Sequence, residues 1–214
     1  MNLNVLEGRL FETMGELYKP EWTPAPLHHN TDGLSKSVDF ETGLLLYNFV
    51  KWKKPKTIVE LGTFRGYSTS WLRLGAAANG FEGQLAHVHA FEVFKEGGYG
   101  PMWYDRIGFD KTGFTYHEVP GGIWKFEKQI PPMIDLLFHD TQHLVGPTQQ
   151  EMALLLPRVP VGGTVLVDDM CYAGYEPMQD LIIRMFSDSC LWRFDILRLG
   201  HGLGIAERLE EDPI

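Results

Sequence analysis

The sequence predicts a doubly wound α/β fold, a mostly parallel sheet with helices on both faces, and two observations carry that prediction. Short apolar runs alternate with segments of helical periodicity from Thr57 onward. Runs such as Ile134-Asp135-Leu136-Leu137-Phe138 are apolar almost throughout, which suits strands buried on both faces rather than on one.

The elements follow in order. Leu3, Leu6, Leu10, Met14 and Leu17 recur at three- and four-residue spacing and predict an amphipathic helix that ends before Pro20. Residues 19–37 carry Pro20, Pro24, Pro26, His28, His29 and Asn30-Thr31-Asp32-Gly33, and read as a loop, a candidate lid. A helix at 40–52 sets Leu44, Tyr47 and Lys51 on one face and Leu45, Phe49 and Trp52 on another, with Pro55 closing it. Strands are then expected at 57–61, 86–91, 114–119, 134–138 and 164–167, and helices at 68–79, 123–129, 147–156 and near 178–186. The segments 192–197 and 202–206 flank Gly200-His201 and predict a closing antiparallel hairpin. We read the 214 residues as a single domain, with helices and the candidate lid at 1–55 and the α/β core at 56–207.

Charge and composition narrow the partners. A formal net charge of -9 supplies no basic face for nucleic acid, so a small molecule is the expected partner. No stretch approaches the length of a membrane span, and the N-terminus has no basic segment followed by an apolar run. Cys171 and Cys190, the only two cysteines, are neither a disulfide framework nor a zinc spacing; the expected location is the cytoplasm, with both thiols free. The N-terminal amphipathic face is as compatible with packing on a partner copy as on its own subunit.

In an open parallel sheet the strands finish at one edge, and ligands bind in the crevice beyond their carboxyl ends. Gly62-Thr63-Phe64-Arg65-Gly66 lies there, two glycines four apart between a strand and a helix. Such a turn lets the backbone approach a ligand closely, and it equally describes a plain tight turn. It lacks the third glycine of a dinucleotide fingerprint. Glu92 ends the next strand about 30 residues after Glu60, where a nucleotide site places a carboxylate for ribose hydroxyls. Gly121 and Gly122, after the third strand, form a further turn.

Through Val59-Glu60-Leu61-Gly62-Thr63-Phe64-Arg65-Gly66-Tyr67-Ser68 and Glu92 the sequence resembles class I S-adenosylmethionine-dependent methyltransferases, over roughly residues 40–207. The resemblance implies that Glu60 and the turn Gly62, Thr63, Phe64, Gly66, Tyr67 and Ser68 hold the methionine part of the cofactor. It implies that Glu92 holds the ribose. By their place after a strand, Gly121 and Gly122 are candidates for passing near the adenine or for a plain turn, and Asp140 is a further cofactor-binding candidate.

Asp140 leaves the strand at 134–138, and Asp168-Asp169 leaves the strand at 164–167, so three carboxylates are expected at one edge. Crowded carboxylates call for a cation, and an oxygen-only set suits Mg²⁺ or a similar hard ion better than zinc. His143, three residues after Asp140, is placed to remove a proton. His139 is expected to pack rather than ligate. Here the sequence resembles the metal-dependent O-methyltransferases, of the catechol and macrolide-sugar types, whose pattern Asp140, His143, Asp168 and Asp169 match. The catechol enzymes carry lysine as the base and asparagine as the last ligand; His143 and Asp169 are nearer the sugar-modifying pattern. The implied chemistry is methyl transfer to a hydroxyl of a sugar or polyphenol, with the divalent ion chelating the acceptor and His143 as general base. Trp22, His28, His29 and residues 97–104 are candidate substrate walls, as are Cys171 and Tyr172. Two other readings stand beside this one. Cephalosporin hydroxylase-like proteins share the fold and are similar at Asp32-Gly33-Leu34-Ser35-Lys36-Ser37, and a non-catalytic module would bind cofactor or metal without turnover.

Overall fold

A computed structural model describes residues 38–64, 66–80, 86–92 and 112–210. The helix expected at 3–17, the loop at 19–37 and the stretch at 97–104 lie outside the described residues.

The order is α1 (Phe40–Lys53), β1 (Thr57–Leu61), α2 (Tyr67–Gly80), β2 (His87–Glu92), β3 (Phe114–Glu118), a 3₁₀ segment Ile123–Gln129, and β4 (Leu136–His139). It continues with α3 (Val145–Leu155), β5 (Thr164–Val167), α4 (Glu176–Ser187), β6 (Trp192–Leu197) and β7 (Leu203–Arg208). Among the described residues one seven-stranded sheet takes the order β3-β2-β1-β4-β5-β7-β6. All pairs from β3 to β5 are parallel, while β7 runs antiparallel to both β5 and β6. The expected fold and closing hairpin are therefore present. Strand order reverses at β1, between β2 and β4, which opens the crevice beyond the ends of β1 and β4.

Alternation along each strand explains the continuous apolar runs. Ile58, Leu136 and Phe138 pack with Leu45, Leu46, Phe49, Trp71 and Leu72 of α1 and α2. Val59, Leu61 and Leu137 face the other way, onto Met152, Leu155, Ile182 and Phe186 of α3 and α4. Burying a Leu or Phe side chain fully is worth about 1.5 to 3 kcal/mol, so each face of the sheet carries its own stabilising apolar layer. Among the described residues no helix is long and apolar enough to cross a membrane.

Local chemistry sets the ends. Asp39 caps α1 by accepting the Thr42 N–H through Oδ1 at 2.7 Å, and Lys54, left-handed at φ 50°, closes it. Two expectations are corrected. The segment 123–129 is a kinked 3₁₀ run rather than a helix, with Phe126 outside helical geometry, because it is short, starts without a side-chain cap and meets Pro131-Pro132. β4 starts at Leu136 rather than 134, because the Asp135 carboxylate accepts the N–H groups of Lys56 and Thr57.

Candidate active site

The site forms where β1, β2, β4 and β5 end. Glu60 points to the α2 side of the sheet and is completely buried. Its Oε1 accepts the Ser68 hydroxyl at 2.5 Å, and its Oε2 accepts the Thr69 hydroxyl. Burial pushes the Glu60 carboxyl up to about 8, the two hydroxyls oppose that, and the charges of Asp140 and Glu92 add to it. Ser68 thus meets Glu60 as the turn reading implied; Thr69 was not foreseen, although it follows Ser68 directly.

Between them the chain turns sharply. Gly62 has φ +93°, its N–H reaches the Phe91 carbonyl at 2.9 Å, and a Cβ there would lie 1.6 Å from the Asp140 carbonyl oxygen. Only glycine lets the ends of β1 and β4 come this close. The Gly66 N–H closes the turn onto the Thr63 carbonyl at 2.7 Å, and Thr63 is buried. Glu92, also buried, accepts the Phe64 N–H through Oε2. Tyr67 turns away, packing edge-on against Trp71 in the core with ring centroids 6.2 Å apart. Gly121 and Gly122 form the turn that follows β3, whose last residue, Glu118, is in register with Glu92.

The acidic rim is next to this turn. Asp140, His143 and Asp169 each offer a ligand atom within 4.8 Å of the others. His143 Nε2 is 3.4 Å from Asp140 Oδ1 and 3.2 Å from Asp169 Oδ2. Asp168 is outside that trio, yet it is 3 % exposed and its Oδ1 has no hydrogen-bond partner. Burial raises Asp140 well above the usual carboxylate range, and the charges of Asp169 and Glu92 add to the effect. Asp168 is raised the same way, by burial and then by Asp140 and Asp169. Burial raises Asp169 too, against the pull of His143 and His201. Burial lowers His143, against the pull of Asp169 and Glu151, and so favours the neutral imidazole, the form able to take a proton.

Several neighbours were not anticipated. His201 Nδ1 is 3.2 Å from Asp169 Oδ1, so this carboxylate is held between two imidazoles. The hairpin tip Gly200-His201-Gly202 makes that contact possible: a Cβ at Gly200 would strike the Asp39 carboxylate at 1.7 Å, and one at Gly202 would strike Cys171. Asp39 Oδ2 in turn accepts the His201 N–H at 3.1 Å, tying the start of α1 to the rim. Tyr175 stacks on His143 with centroids 4.4 Å apart and 14° between planes. Tyr172, which the sequence reading had named, packs on both Tyr175 and His201. His139 packs as expected: it is buried, with Nε2 2.8 Å from Glu151 Oε2. Cys171 and Cys190 are free thiols.

A methyltransferase-domain family model matches residues 59–170 of this sequence. No match was found among curated proteins. Solved structures match over most of their length. An O-methyltransferase from Streptomyces achromogenes involved in tomaymycin synthesis, in complex with S-adenosylmethionine, is 17% identical with a TM-score of 0.67, covering 87% of each chain. An O-methyltransferase from Bacillus cereus, in complex with S-adenosylhomocysteine, is 16% identical with a TM-score of 0.69, covering 92% of this chain and 96% of its own. A methyltransferase from Geobacter sulfurreducens is 15% identical with a TM-score of 0.69, covering 95% and 96%. At these identities the likeness is one of fold.

Proposed function

The chain belongs to the methyltransferase-domain family, and from that premise we propose that it transfers a methyl group from S-adenosylmethionine to a hydroxyl oxygen of a small molecule, a natural-product sugar or a polyphenol. The observation that carries the reading is the convergence of Asp140, His143 and Asp169 within 4.8 Å beside the glycine turn. Solved O-methyltransferases of the same fold, two of them with the cofactor or its demethylated product bound, support it.

The residues suit both the cofactor and a divalent ion. Glu92 and Asp140 crowd one strand edge above the buried Glu60, and the sulfonium and ammonium of the cofactor would offset the repulsion that raises Asp140 and Glu60. Glu60, Gly62, Thr63, Phe64, Gly66 and Ser68 would hold its methionine end, Glu92 its ribose, and Gly121 and Gly122 its adenine; Tyr67 supports the turn from the core. The buried, unpartnered Asp168 Oδ1, with Asp140 and Asp169, suits a hard divalent ion such as Mg²⁺.

When bound, the cofactor supplies an electrophilic methyl and the ion a Lewis acid that lowers the pKa of an acceptor hydroxyl. The chain does the rest. His143, held between Asp140 and Asp169, would take the acceptor proton while the acceptor oxygen receives the methyl group, leaving a methyl ether and S-adenosylhomocysteine. Tyr175 keeps the imidazole in place by stacking on it. Glu60 and Glu92 fix the methyl donor, and in-line positioning of this kind can contribute roughly 7 to 11 kcal/mol to lowering the barrier. We propose in addition a single domain that works in the cytoplasm on a small molecule, in keeping with the net charge of -9.

The test is calorimetric titration with S-adenosylmethionine, with and without Mg²⁺, on the wild type, Glu92→Ala and Asp140→Ala. Cofactor binding lost in Glu92→Ala, with Mg²⁺ binding lost only in Asp140→Ala, is the expected outcome. Incubation with vicinal-diol acceptors should then yield product heavier by one methylene; a gain of one oxygen would instead favour the hydroxylase reading. Absence of cofactor binding in every condition would sink the proposal.

A further inference from the structure

A second group of imidazoles lies on a different part of the sheet. His87 and His89, two apart on β2, point to the same face, and His117 on β3 joins them there. His89 Nδ1 and His117 Nε2 are 3.3 Å apart, with the two rings 13° from coplanar. His87 stacks on His89 at 4.4 Å, with its Nε2 2.8 Å from Thr115 Oγ1. His117 stacks on Phe91 at 4.4 Å, and its Nδ1 is 3.1 Å from Gln129 Oε1 in the 3₁₀ segment.

We infer that His89 and His117 form the core of a transition-metal site, for a borderline divalent ion such as Zn²⁺, with His87 as the third ligand once it turns from Thr115. Two features support this. Zinc holds imidazole nitrogens at about 2.0 to 2.1 Å, so two of them on a tetrahedral ion stand about 3.3 to 3.4 Å apart, the separation found here. Gln129 accepts from Nδ1–H of His117 and so directs the lone pair of Nε2 toward His89, the orienting role that partners of metal-bound histidines play.

Without metal, His89 Nδ1–H donates to His117 Nε2. Metal binding moves that proton to Nε2 of His89, and both rings turn out of their head-on N–H···N alignment so that the two lone pairs converge on the ion. The all-nitrogen set selects Zn²⁺, Ni²⁺ or Cu²⁺ over Mg²⁺, unlike the carboxylates of the acidic rim. The site lies on β2 and β3, away from β4 and β5, and stands independently of the methyl-transfer reading.

The test is Zn²⁺ titration of the full chain by calorimetry in buffer saturated with Mg²⁺, on wild type, Asp140→Asn, His89→Gln, His117→Gln and Gln129→Ala, with X-ray absorption of the zinc-loaded wild type. One zinc should bind to the wild type and still bind to Asp140→Asn. Each histidine variant should lose more than about tenfold in affinity and Gln129→Ala about tenfold, and the absorption spectrum should carry imidazole scattering. No zinc binding by the wild type, equal binding by the His89→Gln/His117→Gln double variant, or loss in Asp140→Asn alone would overturn the inference. If the histidine variants fail to fold, an oxygen-only shell around zinc in the wild type overturns it as well.

Discussion

Replacing Glu60 by glutamine should make the cofactor-free protein more stable in alkali while weakening its hold on S-adenosylmethionine. Glu60 is fully buried, and its carboxyl is pushed from 4.5 up to about 8. Between those values the unfolded chain has released a proton that the folded chain keeps, so wild-type stability falls as pH rises through the window and levels off above about 8. At about 1.36 kcal/mol per pH decade the gap sets a ceiling of about 5 kcal/mol, and relaxation around the buried charge brings the expected loss to roughly 3 to 5 kcal/mol. Glutamine has the same shape, and the Ser68 and Thr69 hydroxyls, which donate to Glu60, can rotate to accept from an amide. Glu60→Gln carries no titrating proton, so its stability should stay flat. Urea denaturation of both proteins from pH 5 to pH 9 measures this. The two should differ little at pH 5, and the variant should be ahead by pH 9. A difference that does not change with pH would refute the assignment of a buried, proton-holding carboxyl.

Three further outcomes are expected. Acid should loosen the sheet through His89: its unfolded form takes up a proton near 6.5 and its folded form only at about 4, so stability drops as pH falls through that window. Partial exposure screens the loss to about 1 to 2 kcal/mol, and His89→Asn should flatten the urea midpoint across it; an unchanged slope argues against this origin. Gly62→Ala, at φ +93° with its Cβ 1.6 Å from a carbonyl oxygen, should cost more than about 3 kcal/mol, whereas Gly174→Ala, at φ +100° in open space, should cost about 1. Equal losses in a denaturation series would refute the steric account. Tyr175→Ala should slow turnover about two- to tenfold, the worth of one ring stack, while Tyr175→Phe keeps the rate; if Phe is as slow as Ala, the stack is not what positions His143.

What the sequence made legible was local. β1 and β5 have the bounds their apolar runs predict, and Asp140, His143 and Asp169 meet because residues that leave neighbouring parallel strands arrive at one edge. What it hid depends on distant contacts. His201 reaches Asp169 only because the β6–β7 hairpin folds back on β5, and Asp39 meets His201 across 162 residues. No periodicity encodes either contact, although the glycines around His201 leave a trace of the tight packing there. The backbone shows the same division. Apart from Lys54 at a helix end, the left-handed non-glycine residues among those described are Phe64, His143 and Asp169. Phe64 directs its N–H at Glu92, His143 directs its ring between two carboxylates, and Asp169 turns the chain toward the hairpin. Each such residue costs energy that a bland loop has no reason to retain, and all three stand at the edge where the acids gather. Local strain and crowded carboxylates thus mark one place by independent means, and that joint placement is the physical reason to put the chemistry there.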